Sequence, residues 1–597
     1  MNHRRTALTV EHVLYLALFA LALALRLYRL GAHPLTDHEA RSALVVDRLI
    51  LGRAEPVGAP DSPAYLFFTF FSFLVFGAGD ATARLAPALL GAGVIFIPAL
   101  FRDRLGREAA LLTSGLLAVS AGLLAASRSA DGAVIALLGL GLGLGALRQC
   151  LMKASSAWLV AAAVALGVGS AVGTTFLTGA FVLTLTAVVV GWVNPDQGQA
   201  LREAWAYLRA RSAAFLVPFV LTALVVATLG LMYPRGVGAV AEAWAAWPAG
   251  FWPSASGRPP VIFPLFLLAY EPLILVFGIF GAVRAFRVGH SLGQALVWFT
   301  LIAFAWVVAY GGRTQFDVIW IVAPWSALAG WALTEIIADN WASAEWPVVA
   351  AQVGAVVALA AFAGLNVASY AELVRGNQAD FFVAQTVFLG RTVSIPSWSQ
   401  FGMAALAVAL ALLISYVLGM GLSWPSARLG LTLGASAALL AMSLGAAWGL
   451  TQARANSPAE LWWERPAADG LRRLMATLGN VSNYSVGNEH DVRVIVHAPA
   501  DGALGWALRD FPHASFVDRL DPLVTNAVVI TPAEEQNPTL GSAYVGQEFV
   551  LRSAWTPSLS LPEWVGWLAF RRAPEIQSER IILWVRQDVQ QLEGTGQ

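Results

Sequence analysis

Three consecutive polar residues, Asp37-His38-Glu39, follow the first apolar stretch of the chain, and a second polar group, Ser127-Arg128-Ser129-Ala130-Asp131, follows a later one. Carboxylates in such places can take a proton from a hydroxyl, orient a base or hold a hard cation. They are also costly: an Asp at mid-bilayer costs at least about 2.5–3.5 kcal/mol, so such groups are expected to line a wet cavity. Tyr270-Glu271-Pro272 lies inside an apolar run near the end of a span and is expected to line a site for the same reason. Arg313, between two spans, and Arg84, near the start of another, offer the permanent charge and forked donors that suit an anion.

Each residue also has a plainer explanation. Asp37 could cap a helix running from Glu39 to Ile50, with Glu39 favourable in its first turn. Arg128 and Asp131, spaced i, i+3, could pair with each other, and Arg313 could snorkel to the membrane interface. His38 reads as structural or solvated, because no other histidine stands at ligand spacing to it. Trp462-Trp463-Glu464 after the last apolar run reads as a set of interfacial aromatics.

The elements that must position these residues are membrane helices. Of 597 residues, 58% are hydrophobic and 12% charged, which predicts a polytopic α-helical membrane protein. The net charge of zero gives no reason to expect nucleic acid as a partner. The one cysteine, Cys150, excludes an intrachain disulfide and a cysteine metal site. Lys153 is the only lysine, so any phosphate must be held by arginine.

Apolar runs of spanning length fall at 12–30, 83–101, 108–127, 132–148, 157–173, 175–193, 213–232, 262–283, 292–310, 316–338, 347–366, 401–420 and 429–450, about thirteen spans in all. The stretch 63–77 is apolar but short. If it lies along the surface, the basic loops at 102–107, 148–153, 202–211, 284–287 and 428 all share the side of Arg4-Arg5, as the positive-inside rule requires. The N-terminus is then expected in the cytoplasm of a plasma or inner membrane. Asp37, Glu39, Asp131, Glu271 and Arg313 are expected together at the outer face, beneath outer loops at 31–82, 233–261 and 367–400.

After the last run the composition turns polar. Residues 1–454 are expected to form the transmembrane domain and 455–597 a small extracytoplasmic α/β domain. Strands are predicted at 492–497, 527–531 and 581–586, and short helices at 471–478 and 504–510.

The run Arg26…Gly31…Pro34…Asp37-His38-Glu39-Ala40, then Ser62-Pro63-Ala64-Tyr65, then Ala83-Arg84-Leu85-Ala86-Pro87-Ala88, then Ser127-Arg128…Asp131 resembles the GT-C superfamily of membrane glycosyltransferases. The closer likeness is to the branch with protein O-mannosyltransferases and lipid A aminoarabinose transferases. The tail, with Trp506…Arg509-Asp510, looks like a poorly characterised subgroup. The family's acidic pair is usually Asp-Glu before Ala; here His38 stands in the Asp place. The family's Lys-Pro-Pro before the Tyr is Asp61-Ser62-Pro63 here, so a phosphate-contacting lysine is missing.

The resemblance implies a polyprenyl-phosphate-linked sugar as donor, the lipid bilayer as setting, and a glycan, lipid or protein hydroxyl as acceptor. It implies one carboxylate as base, assigned to Asp37 with Glu39 second, and inversion at the anomeric carbon. Arg313, Arg84 and Arg128 are expected at the donor phosphate, and Asp131, Glu271, Tyr270, Tyr65 and His38 at the acceptor or metal site. A divalent cation (Mg or Mn) could be held by Glu39, Asp131 or Glu271. Two other readings are kept: a non-catalytic subunit of a cell-envelope glycan pathway, favoured by His38 and the missing lysine, and a lipid or glycolipid transporter, disfavoured by the lack of an internal repeat.

Overall fold

A computed structural model describes residues 9–52, 62–252, 259–376, 383–388, 391–396, 399–522, 524–535, 538–555, 559, 561–573 and 575–589. Every apolar run identified in the sequence falls on a helix. Among the described residues, nine helices are long and apolar enough to cross a membrane, and up to twelve if each of three bent pairs forms one span. The run at 157–173 forms Ser156–Ser170, whose 15 residues fall short of the usual spanning length of about 20. The chain is a multi-pass membrane protein, with nine to twelve such helices among the described residues.

Small residues let these helices approach closely. A Cβ on Gly139 would lie 2.8 Å from the Ala165 carbonyl oxygen and 2.8 Å from the Gly169 Cα, so helices Ala133–Lys153 and Ser156–Ser170 touch backbone to backbone. Two of the bent pairs meet at one residue. Helix Ile262–Tyr270 breaks at Glu271, because Pro272 has no N–H to continue it, and Pro272–Arg287 leaves at 104°. Helix Arg107–Val119 breaks at Ser120, and Ala121–Ser127 leaves at 59°.

Three shorter helices frame the site. Asp37–Ile50 and Pro63–Phe76 follow the first span, and Gly236–Ala249 occupies the Trp-rich loop at 233–261. With 14 residues, Pro63–Phe76 is about 21 Å long, too short for a hydrocarbon core of about 30 Å. It packs against Asp37–Ile50 and against Asp80–Gly93.

Seven strands are described: β1 (Val383–Phe388), β2 (Arg391–Pro396), β3 (Val494–Val496), β4 (Ala514–Phe516), β5 (Val528–Pro532), β6 (Tyr544–Ala554) and β7 (Gln577–Arg586). β1 and β2 form an antiparallel hairpin. The others form one sheet in the order β4-β3-β5-β7-β6, with β3 parallel to β4 and β5 and the last two pairings antiparallel. β3, β5 and β7 lie where strands were predicted; β4 and β6 were not anticipated. Helix Asp469–Val486 places Leu471, Leu474 and Leu478 against Val494, Val528, Ile530 and Leu583, so the sheet has a hydrophobic core of its own. Its return helix Leu561–Phe570 instead buries Trp567 in the core of the membrane helices, with Nε1 donating to the Ala459 carbonyl at 2.7 Å.

Candidate active site

The first turn of helix Asp37–Ile50 separates its three polar residues. The N-cap is Thr36, one residue earlier than expected: Glu39 N donates to Thr36 Oγ1 and Thr36 N to Glu39 Oε2 at 2.9 Å, a reciprocal capping box. Successive residues then point about 100° apart, and Asp37, His38 and Glu39 meet three different surroundings.

Glu39 turns into the protein and is buried. It pairs with Arg84 through Nε at 2.8 Å and Nη2 at 2.7 Å, and accepts from Ala130 N at 2.9 Å. Burial pushes its carboxyl up, but Arg84 and the backbone donors of Thr36 and Ala130 outweigh that and hold it below the usual glutamate value. The other donors of Arg84 go to the carbonyls of Leu30, His33 and Pro34. Arg128 donates to the carbonyls of Leu25, Arg26, Tyr28 and Arg29, closing the C-terminal end of the first span. Both arginines thus spend their donors on architecture, and the i, i+3 pairing with Asp131 does not form.

His38 turns the other way. Its Nε2 lies 3.0 Å from Asp131 Oδ2, and Asp131 Oδ1 accepts from Ala133 N at 2.7 Å. The two line a cavity of about 540 Å³ with Ser62, Thr174, Thr175, Glu242, Gln315 and Glu464. Gly132 forms part of the same wall; a Cβ there would lie 2.3 Å from Ser62 Oγ and 2.8 Å from Val172 Cγ1. The rings of Trp247 and Trp306 stack at 5.3 Å, and those of Trp306 and Tyr310 at 4.7 Å, but none of the three lines the cavity. Asp317, buried one turn below, accepts from Thr314 N at 2.7 Å.

Asp37 takes the third direction, toward the sheet domain. It lines a separate cavity of about 490 Å³ with Arg41, His497, Asp501, Asp518, Arg552, Glu579 and Arg580.

The remaining sequence candidates do not reach the first cavity. Glu271 Oε1 accepts from Ser120 Oγ at 2.6 Å and Gly122 N at 2.9 Å, so it joins the two broken spans. Tyr270 donates its hydroxyl to Glu460 and accepts from Leu461 N at 3.2 Å. Tyr65 donates to the Ala83 carbonyl at 2.9 Å. Arg313, half-buried, donates to the Tyr310 carbonyl at 2.6 Å and directly precedes Thr314, which lines the cavity.

The proposed metal set of Glu39, Asp131 and Glu271 does not converge: Glu39 is locked to Arg84, Glu271 lies between broken helices, and Asp131 faces His38. Among the described residues no three His, Cys, Asp or Glu side chains are grouped to hold a metal ion.

Sequence reasoning missed Glu242 and Glu464. Glu242 is the only acid in the stretch 233–261, a signal that was available. Trp462-Trp463-Glu464 is not an interfacial belt: Trp462 is buried against Phe266 and Phe316, and Glu464 lines the cavity.

No family model matches the sequence, and no curated protein matches it. Solved structures do. ArnT from Cupriavidus metallidurans bound to undecaprenyl phosphate superposes with a TM-score of 0.53 and 17% identity, over 95% of this chain and 98% of that one. The apo state of the same ArnT gives 0.53 and 17% over 96% and 98%. The fold is GT-C. A looser likeness is to the Archaeoglobus fulgidus oligosaccharyltransferase, with a TM-score of 0.44 and 10% identity over 88% of this chain and 70% of that one. The shared fold spans nearly the whole chain, with the small sheet domain following the membrane helices as the sequence led us to expect.

Proposed function

We propose that this protein is a membrane glycosyltransferase that moves a sugar from a polyprenyl-phosphate donor to an acceptor hydroxyl at the outer face of a plasma or inner membrane. The observation that carries the reading is the His38–Asp131 pair on the wall of a polar cavity within a GT-C fold. The donor class is suggested by the undecaprenyl phosphate bound to ArnT. The cytoplasmic N-terminus and outer sheet domain rest on loop charge.

In this scheme the His38–Asp131 pair takes the proton of the acceptor hydroxyl as its oxygen attacks the anomeric carbon. The carbon–oxygen bond to the lipid phosphate breaks, and the electron pair leaves with the phosphate. A phosphate needs no proton to leave, unlike the alkoxide released by a glycosidase, so a single base suffices and the anomeric centre inverts. The role first given to Asp37 moves to its neighbour, because Asp37 faces the other cavity. Of the three arginines expected at the donor phosphate, Arg84 and Arg128 have donors engaged by carbonyls and Glu39, and Arg313 donates to the Tyr310 carbonyl, so none of them is assigned the developing phosphate charge.

The test incubates purified full-length protein with a panel of polyprenyl-phosphate sugars and scores release of polyprenyl phosphate. Wild type should consume at least one donor, and Asp131→Asn should not, while still binding lipid. A protein that binds donor lipid but never consumes it, with Asp131→Asn indistinguishable, belongs to the non-catalytic reading.

A further inference from the structure

Asp37 and His38 are neighbours in sequence, yet they join the two halves of the molecule. His38 reaches the transmembrane cavity through Asp131. Asp37 is held entirely by the sheet domain: Ala503 N donates to its Oδ1 at 3.0 Å, and the Arg552 guanidinium donates to its Oδ2. Arg552 is itself fixed, with Nε and Nη2 each 2.6 Å from the Glu579 carboxylate. It stands where the pairing of β6 with β7 shifts register after Val550, and Arg552 also bridges to Ala467. Such an irregularity re-aims a side chain out of the regular ladder.

The approach on the other side is equally built. Gly502 has φ +113°, and a Cβ there would lie 2.8 Å from Asp37 Oδ1. Only glycine adopts that backbone cheaply and leaves room for the carboxylate. The same loop meets helix Asp37–Ile50 twice more, through Arg41 with Asp501 at 3.3 Å and Arg48 with the Ala500 carbonyl at 3.4 Å. Next to it, Trp506 Nε1 donates to Asp80 Oδ1 at 2.7 Å.

We propose that Arg552 and the Gly502–Ala503 loop of the C-terminal domain form a clamp on Asp37 that positions His38 for proton transfer. Asp37 and Arg552 are positioning residues; neither touches the reacting atoms. The clamp sets the first turn of the helix from the side opposite the cavity, so His38 presents its ring to Asp131 in one register. This rests on the reading of the His38–Asp131 pair given above. It adds that the sheet and its loops are part of the catalytic machinery, although no strand residue lines that cavity.

The experiment compares wild type, Asp37→Asn, Arg552→Ala, Arg552→Lys, the Asp37→Asn/Arg552→Ala double variant and Arg580→Ala. All are full-length protein in lipid nanodiscs. Arg580 lines the cavity that Asp37 and Arg552 share but pairs with Glu548. The first readout is the rate of carbethoxylation of His38 by diethylpyrocarbonate, followed by peptide mass spectrometry. It needs no transferase activity, so failure of the clamp and failure of the functional reading are told apart.

Asp37→Asn and Arg552→Ala should each speed modification of His38 several-fold, Arg552→Lys should restore much of the protection, and Arg580→Ala should leave the rate unchanged. The second readout is donor turnover. Loss of the clamp should lower kcat about tenfold to a hundredfold with KM for the donor unchanged, the size expected of a misplacement near 1 Å. The double variant should be no worse than the poorer single one, because both break one contact. An unchanged His38 rate in Asp37→Asn, which keeps shape and the Ala503 bond, overturns the proposal; so do additive effects in the double variant. Asp37→Asn keeps the test readable if Arg552→Ala fails to fold.

Discussion

Two side-chain pairs start from neighbouring residues at the head of one helix, and their surroundings are opposite. Glu39–Arg84 is buried with its donors and acceptors engaged by helix ends, loop carbonyls and backbone N–H groups. His38–Asp131 is open to a cavity: the imidazole is 41% exposed and the carboxylate 13%. Burial with full satisfaction fixes a conformation, because any rearrangement leaves a charge without a partner in a medium that cannot solvate it. Partial exposure leaves room for a substrate proton. An acid near a membrane is therefore not evidence of chemistry until its partners are known; Glu39 and Asp131 look alike in the sequence and differ in what surrounds them.

Breaking the buried pair should have the largest effect on the molecule as a whole. Removing one partner of such a pair typically costs about 3–5 kcal/mol, since the other charge stays buried. Arg84→Ala should thus lower thermal stability sharply in detergent and cut the yield of folded protein, whereas His38→Ala should leave both near wild type. Equal melting temperatures for the two variants would contradict the contrast. A pH series sharpens it. Glu39 has its folded pKa held below the unfolded value of about 4.3. Its pairing therefore stabilises the fold fully above that value. The contribution is lost as pH falls through the lower folded value. Unfolding measured from pH 7 down to pH 3 should show an acid-side loss that is absent from Glu39→Gln.

At the open pair the order reverses. Asp131→Asn and His38→Ala should each reduce donor consumption about 10²–10⁴-fold, the range of positioned acid–base catalysis, with unfolding midpoints close to wild type. Combining the two should add little, because they act as one unit. Multiplicative losses would instead separate the roles of the two residues.

How much of this was legible follows from the same helix turn. The apolar runs were readable because spanning a bilayer needs about 20 apolar residues, and every run lies on a helix. Strands β3, β5 and β7 were readable as β-branched runs buried in the sheet core. β6 was not, because Tyr544–Ala554 lies at the sheet edge with one face exposed and carries Gly546, Gln547 and Glu548. Asp37-His38-Glu39 stands at the candidate cavity, but neighbours about 100° apart on a helix face different directions. Which one faces the cavity depends on Arg84, Arg552 and Asp131, which lie 45, 515 and 93 residues from their respective partners. No local pattern carries that information. The sequence reading ran one span through 262–283 and did not break it at Pro272; only the packing of Ser120 against Glu271 shows that its carboxylate joins two broken spans.

The smallest expected effect concerns the acids that sequence reading passed over. Glu242 and Glu464 line the cavity from the Trp-rich helix and from the segment after the last span. Under the proposed function they are expected to hydrogen-bond sugar hydroxyls rather than transfer a proton at the attacking oxygen. Contacts made equally in the ground state and the transition state change KM and not kcat. Glu242→Gln keeps the shape and gives up only the charge, so the loss should be that of one charge-assisted hydrogen bond, about 1.5–3 kcal/mol at most. That corresponds to a rise in KM for the sugar donor of roughly ten- to a hundredfold, with kcat held within about twofold and stability unchanged. A fall in kcat instead would place Glu242 at the reacting centre, and the division between an open catalytic pair and surrounding binding groups would have to be redrawn.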